Sequence, residues 1–99
     1  QISYIKIDSE FLSKKYEVTL TDRTEIDFDK KGNWTEIDCK KKAVPAVLIP
    51  VSIKDYVKAN FPNEIITKIE RGGTGIEVEL ANDFSLKFNK KGQFVSMDD

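Results

Sequence analysis

The chain has 99 residues, 39% of them hydrophobic and 33% charged, with 16 basic residues against 17 acidic ones and a formal net charge of −1. That is too apolar for a disordered chain, fits one domain or two very small repeats, and argues against nucleic acid, whose phosphates call for surplus Lys and Arg. One cysteine excludes an internal disulfide, and with no histidine the usual zinc and Cys–His catalytic sets are missing as well.

From the N-terminus, Ile5 and Ile7 alternate with Tyr4, Lys6 and Asp8, the period of a half-buried strand. Val18 and Leu20 alternate with Glu17, Thr19 and Thr21; after a turn at Thr21-Asp22-Arg23, Ile26 and Phe28 alternate with Glu25, Asp27 and Asp29. Next stands FDKKGNW at residues 28–34, a phrase that returns as FNKKGQF at 88–94. Asp29 opens this turn because its short carboxylate can reach amides two residues on, and Gly32 closes it where a positive φ is wanted.

Two hairpin registers compete at the phrase. A three-residue loop with a glycine bulge sets Phe28 against Trp34; a four-residue loop sets Phe28 against Asn33. The first would put Glu36 and Asp38 beside Ile26 and Phe28 on the buried face. Burying unpaired carboxylates is expensive, so the pattern predicts the four-residue loop. Thr35, Ile37 and Cys39 then point inward, as Val95 and Met97 do in the second copy, and Trp34 and Phe94 lie on the open face.

Lys40-Lys41-Lys42 reads as a solvated linker. The apolar run Ala43–Val51 carries prolines at 45 and 50 and is under half of the roughly 20 residues that a membrane span needs. Pro50 suits a first helical turn, and Ile53, Tyr56, Val57 and Phe61 follow at helical spacing, predicting a helix over about 51–61. Ile65, Thr67 and Ile69 begin a second set of strands. At an offset of 60 residues, 16–39 then lie over 76–99 without a gap, with Glu17, Val18, Leu20, Phe28, Lys30, Lys31, Gly32 and Asp38 meeting identical residues. We read a duplicated unit: residues 1–40 form the first repeat and 41–99 the second.

The fold class is therefore α+β: two tandem repeats of a helix plus a four-stranded antiparallel meander. The helix should cover Val78, Leu80, Leu86, Phe88 and Val95. The first repeat's helix would fall before Gln1, which leaves Val18, Leu20, Ile26, Phe28 and Ile37 without a cover. Either residues upstream have been removed, the expected case, or another chain's helix fills the place in a helix-swapped dimer.

The segments EIDFDKKGNW-EIDC, VPA-LIP, YVKANFP, ITKIE, EVEL and LKFNKKGQF resemble the tandem PepSY-like, β-lactamase-inhibitor-protein-like family of small secreted bacterial proteins. The resemblance implies one concave sheet of roughly eight strands and export to the periplasm or beyond, the signal peptide having been removed. It brings no catalytic residues.

The open face is the candidate site. Trp34, Phe94, Tyr4, Asp27, Glu36, Glu77 and Glu79 are the expected partner contacts, with Thr19, Ile66 and Lys87 beside them, and aromatics on such a face supply interface energy. Glu17, Glu25, Asp29 and Asp38 make the same face acidic, suited to a basic partner. No metal is expected, since Asp27 and Asp29 lack the spacing of a calcium loop. No cofactor or catalytic pair is expected either, because carboxylates on an open sheet are little desolvated. Arg71-Gly72-Gly73-Thr74-Gly75 lacks the Lys-Ser/Thr ending of a phosphate loop and reads as a strand connection, and Cys39 reads as a small inward residue. The function expected is a non-enzymatic secreted module binding an unknown protein or peptide, with inhibition as one form of that binding. The alternative is a carrier of small apolar ligands in a cavity of roughly 300 Å³ or more between helix and sheet.

Overall fold

The computed structural model describes the backbone of residues 2–10 and 13–98 and the side chains of 16–98. Eight strands run in sequence order through one antiparallel sheet: β1 Ile2–Glu10, β2 Ser13–Leu20, β3 Glu25–Phe28, β4 Trp34–Asp38, β5 Ile66–Gly72, β6 Gly75–Leu80, β7 Ser85–Phe88 and β8 Phe94–Asp98. Between β4 and β5 come a single 3-10 turn at Ala46–Leu48 and helix α1, Val51–Asn60. Pro50 is the residue that caps α1, its φ of −55° already suited to a helix start.

The pairings of β2, β3 and β4 recur 60 residues later. Val18 faces Ile26 as Val78 faces Leu86, and Ile26 faces Ile37 as Leu86 faces Met97. The first hairpin follows a different offset. Ile5 faces Val18 where Ile69 faces Val78, and the register break at Ile2/Tyr4 matches the one at Ile66/Lys68. Four extra residues between Ile5 and Val18, two on each strand of the β1–β2 hairpin, account for the change. Strands β4 and β5 join the two halves through Glu36–Glu70, Ile37–Ile69 and Asp38–Lys68.

Both hairpin tips combine the two competing registers. Asp29 N–H donates to the Asn33 carbonyl and Gly32 N–H to the Asp29 carbonyl, so the loop holds three residues and Phe28 faces Trp34. Gly32 takes φ 88° and Gly92 takes φ 81°, the left-handed closure of such a loop. The expected four-residue loop is thus corrected. A break between Asp27 and Phe28 then adds Thr35 as an extra residue, which restores the parity and sets Ile37 opposite Ile26. A bulge keeps Glu36 out of the core without changing the turn. Val95, the counterpart of Thr35, is 60% exposed, not beneath the helix as expected.

The core lies where α1 crosses the second half. Ile53 and Val57 of α1 pack with Ile69, Val78, Leu80, Leu86 and Phe88, and Ile37, Cys39, Val44 and Ile49 extend the cluster toward β4. Val78 and Leu86 are fully enclosed, at 0% exposure. Their first-half counterparts Val18 and Ile26, like Leu20 and Phe28, are only half-buried. Among the described residues, a groove of about 260 Å³ opens to solvent on the flank of α1, between Val44, Ile49, Val57 and Phe61.

Candidate functional site

On the side of the sheet away from α1, strand register lines up one residue per strand. Glu17 faces Asp27, Asp27 faces Glu36, Glu36 faces Glu70, and Glu70 faces Glu77. Five carboxylates thus cross five neighbouring strands, and Lys87 follows on β7. Directly opposed pairs on antiparallel strands stand about 4.5–5.5 Å apart, and like charges there repel. A second row runs beside it through Thr19, Glu25, Asp38, Lys68, Glu79 and Ser85.

Lysines reach both rows. Lys40 Nζ reaches Glu25 at 2.6 Å and Asp38 at 3.4 Å, so this part of the lysine run is tied to the sheet and is no free linker. Lys68 stands 3.9 Å from Glu36, a loose contact in partial solvent. Desolvation, with Asp27, Glu70 and Asp38 close by, still holds the Glu36 carboxyl above its ordinary value against the pull of Lys68. What this face offers is accumulated negative charge for a cation or a cationic partner.

The sequence-predicted contacts divide. Asp27, Glu36, Glu77 and Glu79 share the face as expected. Tyr4 pairs with Thr19 through the backbone, and its side chain lies outside the described residues. Trp34 and Phe94 are corrected: facing Phe28 and Phe88, they lie on the helix side. Phe94 stacks on Tyr56 of α1, with centroids 4.6 Å apart and planes at 11°, and meets Phe88 edge-on at 5.9 Å. Trp34 packs against the core cluster, its ring 3.7 Å beneath the Arg71 guanidinium. The three-residue loop is the cause, since it places the residue after the turn opposite Phe28 or Phe88. Ile66 is also moved to the core by the irregularity at Thr67. Asp29 belongs to the turn, where its Oδ1 accepts from the amides of Lys31 and Asn33.

Glu70 is the site residue that the sequence reading missed. Its signal was present in the alternation of Ile69 and Glu70, but only the β4–β5 pairing brings it beside Glu36. Among the described residues no group of three or more acidic or cysteine side chains is arranged to hold a metal ion, and no helix is long and apolar enough to cross a membrane.

An open antiparallel sheet with a helix packed on one face and carboxylates ranked on the other defines an α+β sheet module with a free polar surface. The chain belongs to the PepSY-like family: the family model described as putative beta-lactamase-inhibitor-like, PepSY-like, matches residues 14–96. Three solved structures are similar over all of it. A putative periplasmic protein of unknown function from Bacteroides vulgatus is 41% identical, with a TM-score of 0.95, the match covering 100% of this chain and 79% of that one. A putative calcium-regulated periplasmic protein from Bacteroides thetaiotaomicron is 42% identical at a TM-score of 0.97, covering 100% and 78%. A further putative periplasmic protein from Bacteroides vulgatus is 36% identical at 0.93, covering 100% and 78%. No curated protein matches the sequence.

Proposed function

We propose that this chain is a non-enzymatic periplasmic binding module whose carboxylate-ranked face takes a basic protein or peptide. The observation that carries the reading is the row Glu17–Asp27–Glu36–Glu70–Glu77, one carboxylate on each of five paired strands. Like charges in register lower the stability of a sheet, and a cationic partner would relieve that repulsion while its approach is accelerated by the field. The family and the periplasmic descriptions of the structural neighbours support the compartment.

The test uses a fluorescent ten-residue peptide of alternating lysine and alanine. Wild type should bind it, with affinity falling as salt rises, and Glu36→Lys combined with Glu77→Lys should weaken binding at least tenfold. Equal binding by both proteins would refute the reading. A divalent cation is the second reading, favoured by the neighbour described as calcium-regulated. Calcium that binds at micromolar concentration and displaces the peptide would favour that occupant instead.

A further inference from the structure

The hairpin connections at 29–33, 73–74 and 89–93 sit at one end of the sheet, since each joins an odd strand to the following even one. Between them opens a cleft of about 530 Å³, lined by Asn33, Trp34, Arg71, Gly72, Gly73, Ile76 and Lys90 among others. Arg71 is held there from two sides. Its Nε donates to the Trp34 carbonyl at 2.7 Å, and its guanidinium lies 3.7 Å above the Trp34 ring. A guanidinium fixed through Nε and one face keeps its two terminal nitrogens for another acceptor. Among the described residues no carboxylate forms an ion pair with Arg71.

Charge in the cleft favours an anion. Asp29 also lines it, but its Oδ1 is engaged by the Lys31 and Asn33 amides. Asp29 keeps its negative charge, so the lining carries one net positive charge, supplied by Arg71 and Lys90. Beside the polar Asn33 and Thr35, the lining offers an apolar wall of Trp34 and Ile76 and the backbone of the Gly72-Gly73 turn, where open space surrounds each glycine. A planar fork beside an apolar wall and accessible backbone matches a carboxylate joined directly to an apolar group.

We propose that this cleft captures the C-terminal end of a peptide, with the terminal carboxylate on Arg71 and Lys90 and the last side chain against Trp34 and Ile76. The site lies at the hairpin tips and does not use the carboxylate row. A peptide engaging both would place its basic segment on the sheet and its end in the cleft.

The experiment compares acetyl-Ala-Ala-Leu bearing a free carboxylate with its C-terminal carboxamide, following the amide resonances of Gly72 and Gly73 and the Trp34 indole resonance. The acid should bind at least tenfold more tightly than the amide. Arg71→Gln should reduce the acid to the level of the amide, and Arg71→Lys should retain part of the difference, with circular dichroism confirming that both variants fold. Equal affinity of acid and amide, or an acid affinity unmoved by Arg71→Gln, would overturn the proposal. So would inorganic phosphate binding as tightly as the peptide, which marks a general anion seat. Glu36→Lys with Glu77→Lys should leave the acid–amide difference intact, so that failure here and failure of the sheet-face reading are told apart.

Discussion

Glu36 stands at the centre of the carboxylate row, with Asp27 on β3, Glu70 and Lys68 on β5, and Asp38 on its own strand around it. Its carboxyl is raised above the ordinary value of 4.5, first by desolvation and then by the three neighbouring carboxylates. A raised folded pKa means that the folded chain keeps a proton the unfolded chain has released, so Glu36 subtracts stability above that window and the loss disappears as pH falls toward 4.5. Asp22 and Asp29 work in the opposite sense. The backbone amides of Thr24 and Asn33, their largest influences, lower both, so what they contribute is present above the ordinary aspartate value and lost as pH falls through their folded values. Glu36→Gln should therefore stabilise the protein by about 0.5 kcal/mol at pH 7, with the gain shrinking toward zero at pH 4. Urea midpoints across that range check it, and a gain that persists at pH 4 would contradict the like-charge account. At this scale the turn chemistry was legible: Asp29 and Asn89 accept from amides two residues on, as their side chains suggest. The neighbours of Glu36 were legible only on its own half, because Glu70 meets it through a long-range pairing.

Among the elements, the β3–β4 and β7–β8 hairpins show where pattern reasoning reaches its limit. Periodicity demanded that Ile37 point inward, and it does, at 4% exposure. It could not reveal that a tight loop and a later bulge satisfy the demand together, since both solutions give the same parity beyond Thr35. The difference falls entirely on Trp34 and Phe94. On the helix side, Phe94 makes α1 more than a greasy lid, because Tyr56 stacks on it and meets Phe88 edge-on at 5.5 Å. Tyr56→Ala should cost about 2–3 kcal/mol, below the full penalty of a buried aromatic because Tyr56 is only half-buried. Tyr56→Phe should stay close to wild type. Denaturant midpoints compare the two; a mild Ala variant would mean that the stack contributes little to holding α1.

Across the whole molecule, stability should be graded from one end of the sheet to the other. Strands β6 and β7 lie beneath α1 with Val78, Leu80, Leu86 and Phe88 enclosed, whereas the same face of β2 and β3 is half-exposed among the described residues. Amides of β6 and β7 should therefore exchange with solvent at least tenfold more slowly than their counterparts in β2 and β3, as two-dimensional NMR can measure; uniform protection would show that the halves open as one unit. The charge distribution is graded too. Carboxylates crowd one face, while Lys30, Lys31, Arg71, Lys90 and Lys91 all fall at the hairpin-tip end, so a nearly neutral chain presents two surfaces of opposite sign.

The amino-acid order alone determined that strands alternate, that a helix follows Pro50, that the second half echoes the first and that Asp27, Glu36, Glu77 and Glu79 face away from the core. Each of these depends on contacts close in sequence or on a period that every residue of a strand repeats. Tertiary structure decided the rest: the side on which Trp34 and Phe94 lie, the meeting of Glu36 with Glu70, and the cleft in which Arg71 rests on Trp34. A single inserted residue reverses a side chain's direction, and pairing between β4 and β5 joins residues thirty or more positions apart, so neither is written in any local pattern.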